Sequence, residues 1–381
     1  MTPEARRRRL ALVVAAALAL VVGVAVGAGH DDPQPRSAAP RASATPTPPP
    51  VKEARKLSLR RQVGQLVVMR FAGAGPPAYV PEALKAGRAA GVILFKDNIA
   101  SKPALTRLTA RLQRAAGGAA LVATDQEGGE IRNLTWAAPV EGQAAAATPE
   151  RARADARAAA HDLRTAGVNV NLAPVADVAS GPVMRGRSFP GDAEQVASLT
   201  RAAVEGYRGT HVAATAKHFP GLGAATENTD DAPVSLTRTP EQLLGEDLPP
   251  FRAAIAARVP LVMASHAVYP SLDPHAIASQ STDVLQRLLR QRLGFRGVIV
   301  TDSIEAKAVT ERSGPAVAGV RSVRAGADLV LTTGPGSHLR VLRALLAEAR
   351  RSPAFRRRVA ESAARVLALK RDLGLRAVGG G

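Results

Sequence analysis

The sequence predicts an α/β fold, a single-domain (β/α)8 barrel of the TIM type. Eight short apolar runs of β-type composition recur from Gln65 onward, and segments with helical spacing lie between most of them. Near-continuous apolar strands that alternate with helices are typical of a parallel sheet covered on both faces, and eight such units close a barrel. The competing fold is an open doubly wound sheet, but no glycine-rich dinucleotide fingerprint follows the first run.

The predicted strands and helices alternate along the chain. In chain order the apolar runs are QLVVMRF, GVILF, ALVATD, VNVNLAPVADV, VAATAKHF, VPLVMASH, GVIVTDS and ADLVLTT. Segments rich in Ala, Leu, Arg and Glu predict helices at residues 103–116, 149–165, 192–208 and 282–293. Because hydrophobic residues make up 46% and aromatic residues only 3%, the core has to be built from alanine, valine and leucine.

The chain is strongly basic, with a formal net charge of +19 over 381 residues, and it contains no cysteine. Arginines are spread over the predicted helices without interleaved aromatic residues or glycine-rich arms, which argues against nucleic-acid binding. A solvated basic surface is the simplest interpretation, and anionic wall polymers or lipid head groups are the alternatives. The lack of cysteine excludes disulfides and thiolate metal ligands.

The N-terminal region has the composition of a targeting segment. Four arginines at positions 6–9 precede an apolar run at 10–28, so we expect residues 1–30 to be a signal peptide or a membrane anchor. Small residues around AVGAG favour cleavage, whereas the length of the run favours a retained anchor. Residues 31–55, rich in Pro, Ala and Ser, predict an extended linker, and 56–375 the barrel. Both alternatives place the barrel outside the cytoplasm.

Polar side chains follow the predicted strands at their carboxyl ends, where a barrel carries its chemistry. They are Asp125 and Glu127 after the third run, Asp177, Arg185 and Arg187 after the fourth, Lys217 and His218 after the fifth, His266 after the sixth, and Asp302 and Ser303 after the seventh. No group among them has metal-ligand spacing, so we expect neither a metal nor another cofactor. Glycosidic bond cleavage is the reaction that barrels most often build from carboxylates.

Two of these carboxylates have alternative interpretations. Asp302 ends an apolar strand and is expected at the barrel mouth, although an aspartate or serine at this position also suits an N-cap of the next helix. Asp125 precedes two glycines that let the backbone turn sharply, so its carboxylate can accept sugar hydroxyls. The alternative for Asp125 is an ion pair within a loop.

The segments DQEGG, NLAPVADV, RSF, KHFPGLG, MASHAVYPSLDP and GFRGVIVTDSIEAKAV together resemble glycoside hydrolase family 3. The resemblance is to its single-domain bacterial β-N-acetylglucosaminidases and covers residues 57–375. It implies a barrel with Asp302 as the nucleophile that forms a glycosyl-enzyme intermediate in a retaining reaction. It also implies sugar contacts in subsite −1 from Asp125, Arg187, Lys217 and His218.

The sequence departs from the pattern of that family in two loops. Where the family resembles KHFPGHG followed by Asp-Ser-His, this chain has Leu222 and then Asn228-Thr229-Asp230. Asp230 takes the place of the histidine and is our candidate for the general acid/base, because burial can raise the pKa of a carboxyl group. The alternatives are Asp231 and Glu227, or a solvated loop in which none of the three acts.

The second departure lies after the two glycines, where the family often has GGRVQR. This chain has Glu130, Arg132 and Asn133 there, and we predict that Arg132 binds substrate with a shifted register. His266 and Asp177 are interpreted as hydrogen-bonding residues behind the site.

The expected function is that of an exported retaining glycosidase that removes terminal β-linked N-acetylhexosamine from cell-wall glycans. The expected partner is therefore a carbohydrate, and not a nucleic acid. The alternative is a homologue that has lost its acid/base and binds wall sugars without turnover, for which Leu222 and Asn228 are the supporting features.

Overall fold

The computed structural model describes residues 51–378. The predicted signal or anchor at 1–30 and most of the predicted linker lie outside the described residues. The last five residues of the predicted linker form the helix Val51–Arg55, which packs on the helix Pro353–Asp372. Between residues 51 and 378 there is no helix with the length and apolar character needed to cross a membrane.

Eight parallel strands form the central sheet, which confirms the predicted (β/α)8 barrel. They are β1 Val67–Met69, β2 Gly91–Ile93, β3 Leu121–Thr124, β4 Val170–Asn171, β5 Thr215–Phe219, β6 Leu261–Ala264, β7 Val298–Ser303 and β8 Leu329–Thr332. Hydrogen-bonded neighbours follow the order β4-β3-β2-β1-β8-β7-β6-β5. Parallel bridges from Val170 to Ala213 and from Val175 to Lys217 join β4 to β5 and close the ring.

Two short antiparallel hairpins extend the loops at the carboxyl ends of β3 and β6. The first pairs Gln126–Gly128 with Ile131–Arg132, and the second pairs Val268–Tyr269 with Asp273–Ile277. Both hairpins lie on the side of the barrel where the predicted site residues gather.

Helices surround the sheet, and the last helix covers the end of the barrel where the strands begin. The α-helices are Val51–Arg55, Leu59–Gly64, Tyr79–Lys85, Lys102–Ala115, Pro149–Thr165, Ala193–Gly206, Pro240–Gln242, Pro249–Ala256, Lys307–Thr310, Pro315–Ala325, Ser337–Arg351 and Pro353–Asp372. Single turns of 3-10 helix lie at Lys96–Asn98, Gln143–Ala145 and Ala278–Gln280, and π-helical segments at Leu243–Asp247 and Asp283–Arg292. The four predicted helices are present within two residues at each end. The fourth, predicted at 282–293, is wound as the π-helix.

Alternate residues of the strands face the two sides of the sheet. Ile93, Leu121 and Met263 belong to the cluster that fills the barrel, together with Val366 and Leu369 of the last helix. That helix therefore covers the amino end of the barrel, opposite the predicted site. The intervening strand residues pack against the surrounding helices, so both faces of the sheet are buried.

A buried carboxylate fastens the last helix to the sheet. Asp328, directly before β8, is fully buried. Its carboxylate accepts hydrogen bonds from Arg290, Arg358, Arg365, Ser362 and the backbone amide of Ile299. Burial opposes ionisation, but the three arginines outweigh it and lower the pKa of Asp328 to about 2.

We predict that Asp328→Asn destabilises the protein by about 3–5 kcal/mol, because three guanidinium groups lose the charge that compensates their burial. Urea unfolding followed by circular dichroism measures the change. The matched control is Glu361→Gln, which removes an exposed carboxylate paired with Arg358 and should change stability by less than about 1 kcal/mol. Equal losses in the two variants would contradict this account of the barrel base.

Candidate active site

A cavity of about 740 Å³ opens at the carboxyl ends of the strands. Its walls include all seven residues predicted for the site, namely Asp125, Arg132, Arg187, Lys217, His218, Asp230 and Asp302. The alternative acid/base candidates Asp231 and Glu227 are exposed and lie outside this lining. The structure therefore brings the predicted residues together, while their individual roles stay predictions.

Four charged side chains form a compact cluster on one wall of the cavity. The Nζ atom of Lys217 lies 2.7 Å from Oδ1 of Asp125 and 2.6 Å from Oε1 of Glu127. Arg187 binds Glu127 with two parallel contacts, of 2.8 Å from Nη2 and 3.0 Å from Nε. The ion pair that was the alternative interpretation of Asp125 is thus present, but it lies inside the cavity.

Buried groups of opposite charge in this cluster stabilise each other in their ionised forms. Burial opposes the charge of Glu127, yet Lys217 and Arg187 outweigh it and lower the pKa of Glu127 to about 2. Burial also opposes the charge of Lys217, but Asp125 and Glu127 raise its pKa above the ordinary value. Glu127, Lys217 and Arg187 are therefore ionised at neutral pH.

Glycine is required directly after Glu127. Gly128 has φ of +99°, in the region that side chains disfavour, and a Cβ atom there would lie 2.1 Å from the carbonyl oxygen of Glu141. The sharp turn at Gly128 and Gly129 allows the hairpin after β3 to fold back while Asp125 and Glu127 remain at the cavity wall.

Asp177 holds the carboxyl end of β5 and the turn that follows it. Its buried carboxylate contacts Nδ1 of His218 at 2.8 Å and accepts hydrogen bonds from the backbone amides of His218 and Leu222. Because a carboxylate can only accept, Nδ1 carries the proton of the pair. The other ring nitrogen, Nε2, lies 3.9 Å from Oδ2 of Asp302. Asp177 thus lies behind the site, as predicted, and orients the imidazole toward Asp302.

Asp302 lies at the end of β7 and faces the cavity. Its Oδ1 atom accepts a hydrogen bond of 2.7 Å from the amide of Ser303, and the helix that follows begins at Lys307 with Ala306 as its N-cap. Asp302 is therefore not a helix cap. Burial opposes its ionisation, but attraction to His218 and Lys217 lowers the pKa of Asp302 below its ordinary value.

His266 forms hydrogen bonds with the backbone at the same strand end. Its Nε2 atom donates to the carbonyl oxygen of Ser303 at 2.9 Å, so Nδ1 accepts from the hydroxyl of Ser279 at 2.7 Å. Burial lowers the pKa of His266. This neutral histidine holds the backbone beside Asp302, in agreement with its interpretation as a residue behind the site.

Asp230 is carried by a loop that is attached to the segment after β7. The carbonyl oxygens of Thr229 and Asp230 accept hydrogen bonds of 3.1 Å from the amides of Ala308 and Lys307. The amide of Asp230 donates to Oδ1 of Asn228 at 3.1 Å. These bonds fix the acid/base candidate relative to the strand that carries Asp302.

The environment of Asp230 raises the pKa of its carboxyl group above that of an ordinary aspartate. The residue is exposed to the open cavity, but the walls remove part of its hydration, and the negative charge of Asp302 adds to this effect. Together they raise the pKa of Asp230 to about 6. The two carboxylates thus have pKa values displaced in opposite directions.

Arg132 lines the cavity, but its guanidinium group is engaged within its own loop. Nη1 donates to the carbonyl oxygen of Val140 at 3.1 Å, and Nη2 donates to that of Thr135. The predicted contact of Arg132 with substrate would have to compete with these bonds.

Sequence reasoning gave no role to Glu305 and Thr333, which follow β7 and β8 and form a polar group with Ser303. Oε2 of Glu305 accepts hydrogen bonds from the amide of Thr333 at 2.7 Å and from the hydroxyl of Ser303 at 3.3 Å, and all three residues line the cavity. Arg70, at the end of β1, lines it as well and pairs with Asp97. Position directly after a strand was the one signal that could have indicated Arg70 and Thr333.

Fold and site together define a barrel enzyme whose cavity combines an ionised carboxylate with a second carboxylate of raised pKa. Residues 58–369 match the model of the glycosyl hydrolase family 3 N terminal domain. The chain belongs to glycoside hydrolase family 3.

Similar proteins span most of the described chain. A β-hexosaminidase of Xanthomonas campestris pv. campestris is 37% identical over 281 residues, which are 71% of this chain and 85% of that protein. The structure of a family 3 β-N-acetylglucosaminidase from Paenibacillus sp. superposes with a TM-score of 0.79 at 35% identity, covering 84% of this chain and 63% of that one. A β-N-acetylhexosaminidase from Beutenbergia cavernae superposes with a TM-score of 0.75 at 35% identity, covering 82% and 98%.

We predict that Glu127 makes stability depend on pH. Its pKa of about 2 in the folded protein lies below the ordinary value of 4.5, so its contribution is present above pH 4.5 and is lost as pH falls toward 2. The difference in unfolding free energy between the wild type and Glu127→Gln should therefore shrink by about 2 kcal/mol between pH 5 and pH 3. Urea unfolding at several pH values measures it.

The control for this prediction is Glu130→Gln, which removes an exposed carboxylate at the rim of the same cavity. The unfolding free energy of Glu130→Gln should differ little from that of the wild type, and this difference should not change over the same pH range. A constant difference for Glu127→Gln as well would mean that Glu127 is not ionised against Lys217 and Arg187.

Proposed function

We propose that the protein is an exported retaining glycosidase that hydrolyses terminal β-linked N-acetylhexosamine, with cell-wall glycans as its substrates. The observation that carries the proposal is the pair formed by Asp302 and Asp230, which line one cavity with pKa values displaced in opposite directions. Similar proteins named β-hexosaminidase and β-N-acetylhexosaminidase support the choice of sugar.

In the first step the ionised carboxylate of Asp302 attacks the anomeric carbon of the terminal sugar. The protonated carboxyl group of Asp230 donates its proton to the glycosidic oxygen, and the bond between that oxygen and the anomeric carbon breaks. The leaving glycan departs as an alcohol, and the sugar is held as an ester of Asp302.

In the second step Asp230, now a carboxylate, removes a proton from water. The water oxygen bonds to the anomeric carbon and the ester bond to Asp302 breaks, which restores both side chains. Two displacements at the same carbon retain its configuration. The raised pKa of Asp230 suits both roles, because a group with a pKa near the working pH can donate and accept.

The charged cluster supplies the contacts to the sugar hydroxyls. Lys217 engages Oδ1 of Asp125, so we assign Oδ2 of Asp125 to the hydroxyl groups of the bound ring. Arg187, fixed by Glu127, and Nε2 of His218 line the cavity beside it. Because these groups are held by other protein groups before substrate binds, little reorganisation is needed on binding.

Export and a wall substrate are inferred from composition. Arginines at 6–9 followed by an apolar run at 10–28 support passage to or across the membrane. The net charge of +19 favours contact with anionic envelope polymers.

A second candidate function is sugar binding without turnover. It is favoured by the exposure of Asp230 and by Leu222 and Asn228, which replace the ionisable residues of the family pattern. An aryl β-N-acetylglucosaminide with a good leaving group discriminates between the candidates, since it needs little protonation. Tight binding of this compound without release of the aryl group would support the binding protein.

We predict that Asp302→Asn lowers kcat for the aryl β-N-acetylglucosaminide at least about a thousandfold, because no other group can form the covalent intermediate. Release of the chromophore measures the rate. Asp283→Asn, on the π-helix outside the cavity, is the control and should keep the wild-type rate. If Asp302→Asn retains turnover, the assignment of Asp302 as the nucleophile is wrong.

For Asp230 we predict a loss that depends on the leaving group and on pH. Asp230→Ala should slow hydrolysis of an N-acetylglucosamine disaccharide about a hundredfold or more, and that of the activated aryl substrate much less. In the wild type, kcat/KM for the disaccharide should fall as pH rises through about 6, since the acid must be protonated. This alkaline limb should disappear in Asp230→Ala.

Azide should accelerate turnover of the activated substrate by Asp230→Ala, because azide attacks the glycosyl ester without help from a base. Asp231→Ala and Glu227→Ala are the matched comparisons, since both residues lie on the same loop but outside the cavity lining. If either of these variants, and not Asp230→Ala, shows the selective loss on the disaccharide, the acid/base assignment is wrong.

A further inference from the structure

Outside the cavity, a cluster of basic side chains lies between the helix that begins at Tyr79 and the helix Ser337–Arg351. The imidazole of His338 stacks on the ring of Tyr79, with 5.5 Å between the ring centroids, and so joins the two helices. Burial, together with the positive charges of Arg88 and Arg340, lowers the pKa of His338, so both guanidinium groups lie near the imidazole. None of these four side chains lines the cavity that holds Asp302.

Several polar atoms of this cluster have no partner among the described residues. His338 is 5% exposed, and its buried Nε2 atom forms no hydrogen bond. The buried Nε atom of Arg88 forms none either, and within residues 51–378 no carboxylate pairs with Arg88, His338 or Arg340. A buried polar group without a partner is costly, and in folded proteins such groups usually meet water, an ion or a ligand.

The cluster lies at the amino end of a long helix. Ser337–Arg351 has 15 residues, no side chain caps its amino end, and the sequence GPG precedes it. The amide groups of a first helical turn point outward and carry partial positive charge, which favours a bound anion. Nη2 of Arg340 donates to the hydroxyl of Ser337 at 2.8 Å and to the carbonyl oxygen of Pro335 at 3.2 Å. These two neutral acceptors hold the charge of Arg340 beside the helix end.

We infer that this cluster is a binding site for a phosphate group, held by Arg88, Arg340 and His338 at the amino end of the helix Ser337–Arg351. A phosphate group offers several acceptor oxygens, which suit two guanidinium groups, an imidazole and a helix end better than the two oxygens of a carboxylate do. Many barrels bind phosphate between the loops after their last two strands and the amino end of a helix, and this cluster follows β8 in the same way.

The phosphate group comes either as the free ion or as a phosphodiester within a polymer. Both have the chemistry that this cluster recognises. The inference does not depend on the proposed hydrolysis, because the cluster shares no side chain with the cavity.

The titration of His338, followed by NMR, tests binding with inorganic phosphate as the probe. The resonance of His338 is identified by its absence in His338→Gln, and its midpoint is measured in chloride and in phosphate at equal ionic strength. Phosphate should raise the midpoint by about one pH unit or more, because the anion binds the protonated imidazole more tightly than the neutral one. An unchanged midpoint in concentrated phosphate overturns the inference.

Calorimetric titration with inorganic phosphate locates the contacts. Arg88→Gln and Arg340→Gln should each weaken binding about tenfold or more, because each removes a charged donor. The matched control is Arg343→Gln, which removes an exposed arginine further along the same helix and should leave the affinity unchanged. Because Arg340 is exposed, its variant should fold even if Arg88→Gln does not. If Arg343→Gln weakens binding as much as Arg340→Gln, the basic surface attracts phosphate in general and the site is wrong.

Dimethyl phosphate, a small phosphodiester, distinguishes the two sources of the phosphate group. If it binds the wild type and binds Arg340→Gln more weakly, the site accepts the phosphodiester of a polymer. If only inorganic phosphate behaves in this way, the occupant is the free ion. If neither probe binds, the inference is wrong, whereas the proposed glycosidase is tested separately by turnover of the aryl β-N-acetylglucosaminide. Arg340→Gln should keep the wild-type rate in that assay.

Discussion

Lys217 is both buried and charged, and the mouth of the barrel is organised around that combination. An isolated ammonium group in this position would lose its hydration and give up its proton. Asp125 and Glu127 prevent this by direct contact, and Glu127 is in turn shared with Arg187. Each charge in the cluster is thus held by a charge from another strand end, so removing one leaves its partners buried without compensation.

The surroundings of the cluster also explain why Asp302 and Asp230 have pKa values shifted in opposite directions. Lys217 and His218 attract the negative charge of Asp302 and keep it ionised. Asp230 lies on the loop attached to the segment after β7, where the dominant charge beside it is that of Asp302 itself. Burial and the charge of Asp302 therefore favour a proton on Asp230, while the groups beside Asp302 keep Asp302 ionised. A nucleophile and an acid need this pair of conditions at the same pH.

The sequence predicts most of the scaffold, because buried parallel strands have to be apolar and the polar residues that follow them have to meet at one end. Asp125, Lys217, His218 and Asp302 could be assigned to one cavity on that ground alone. The partner of each side chain is harder to predict. Glu127 meets Arg187 across 60 residues, and Arg132 turns away to the carbonyl groups of Thr135 and Val140. Such choices depend on loop conformation, which single-residue patterns do not encode. The same holds for the π-helical winding of Asp283–Arg292.

The departures from the family pattern form a consistent set once the contacts are known. A histidine acid needs an acidic partner that fixes its tautomer, whereas a carboxyl acid has no tautomer to fix. Asn228 is neutral and adds no negative charge next to Asp230, whose pKa of about 6 results from burial and from the charge of Asp302. Asn228 instead binds the amide of Asp230, and the carboxylate of Asp177 binds the backbone of Leu222, which needs no ionisable side chain there. The replacements that made the sequence look impaired are those that a carboxyl acid/base at position 230 would require.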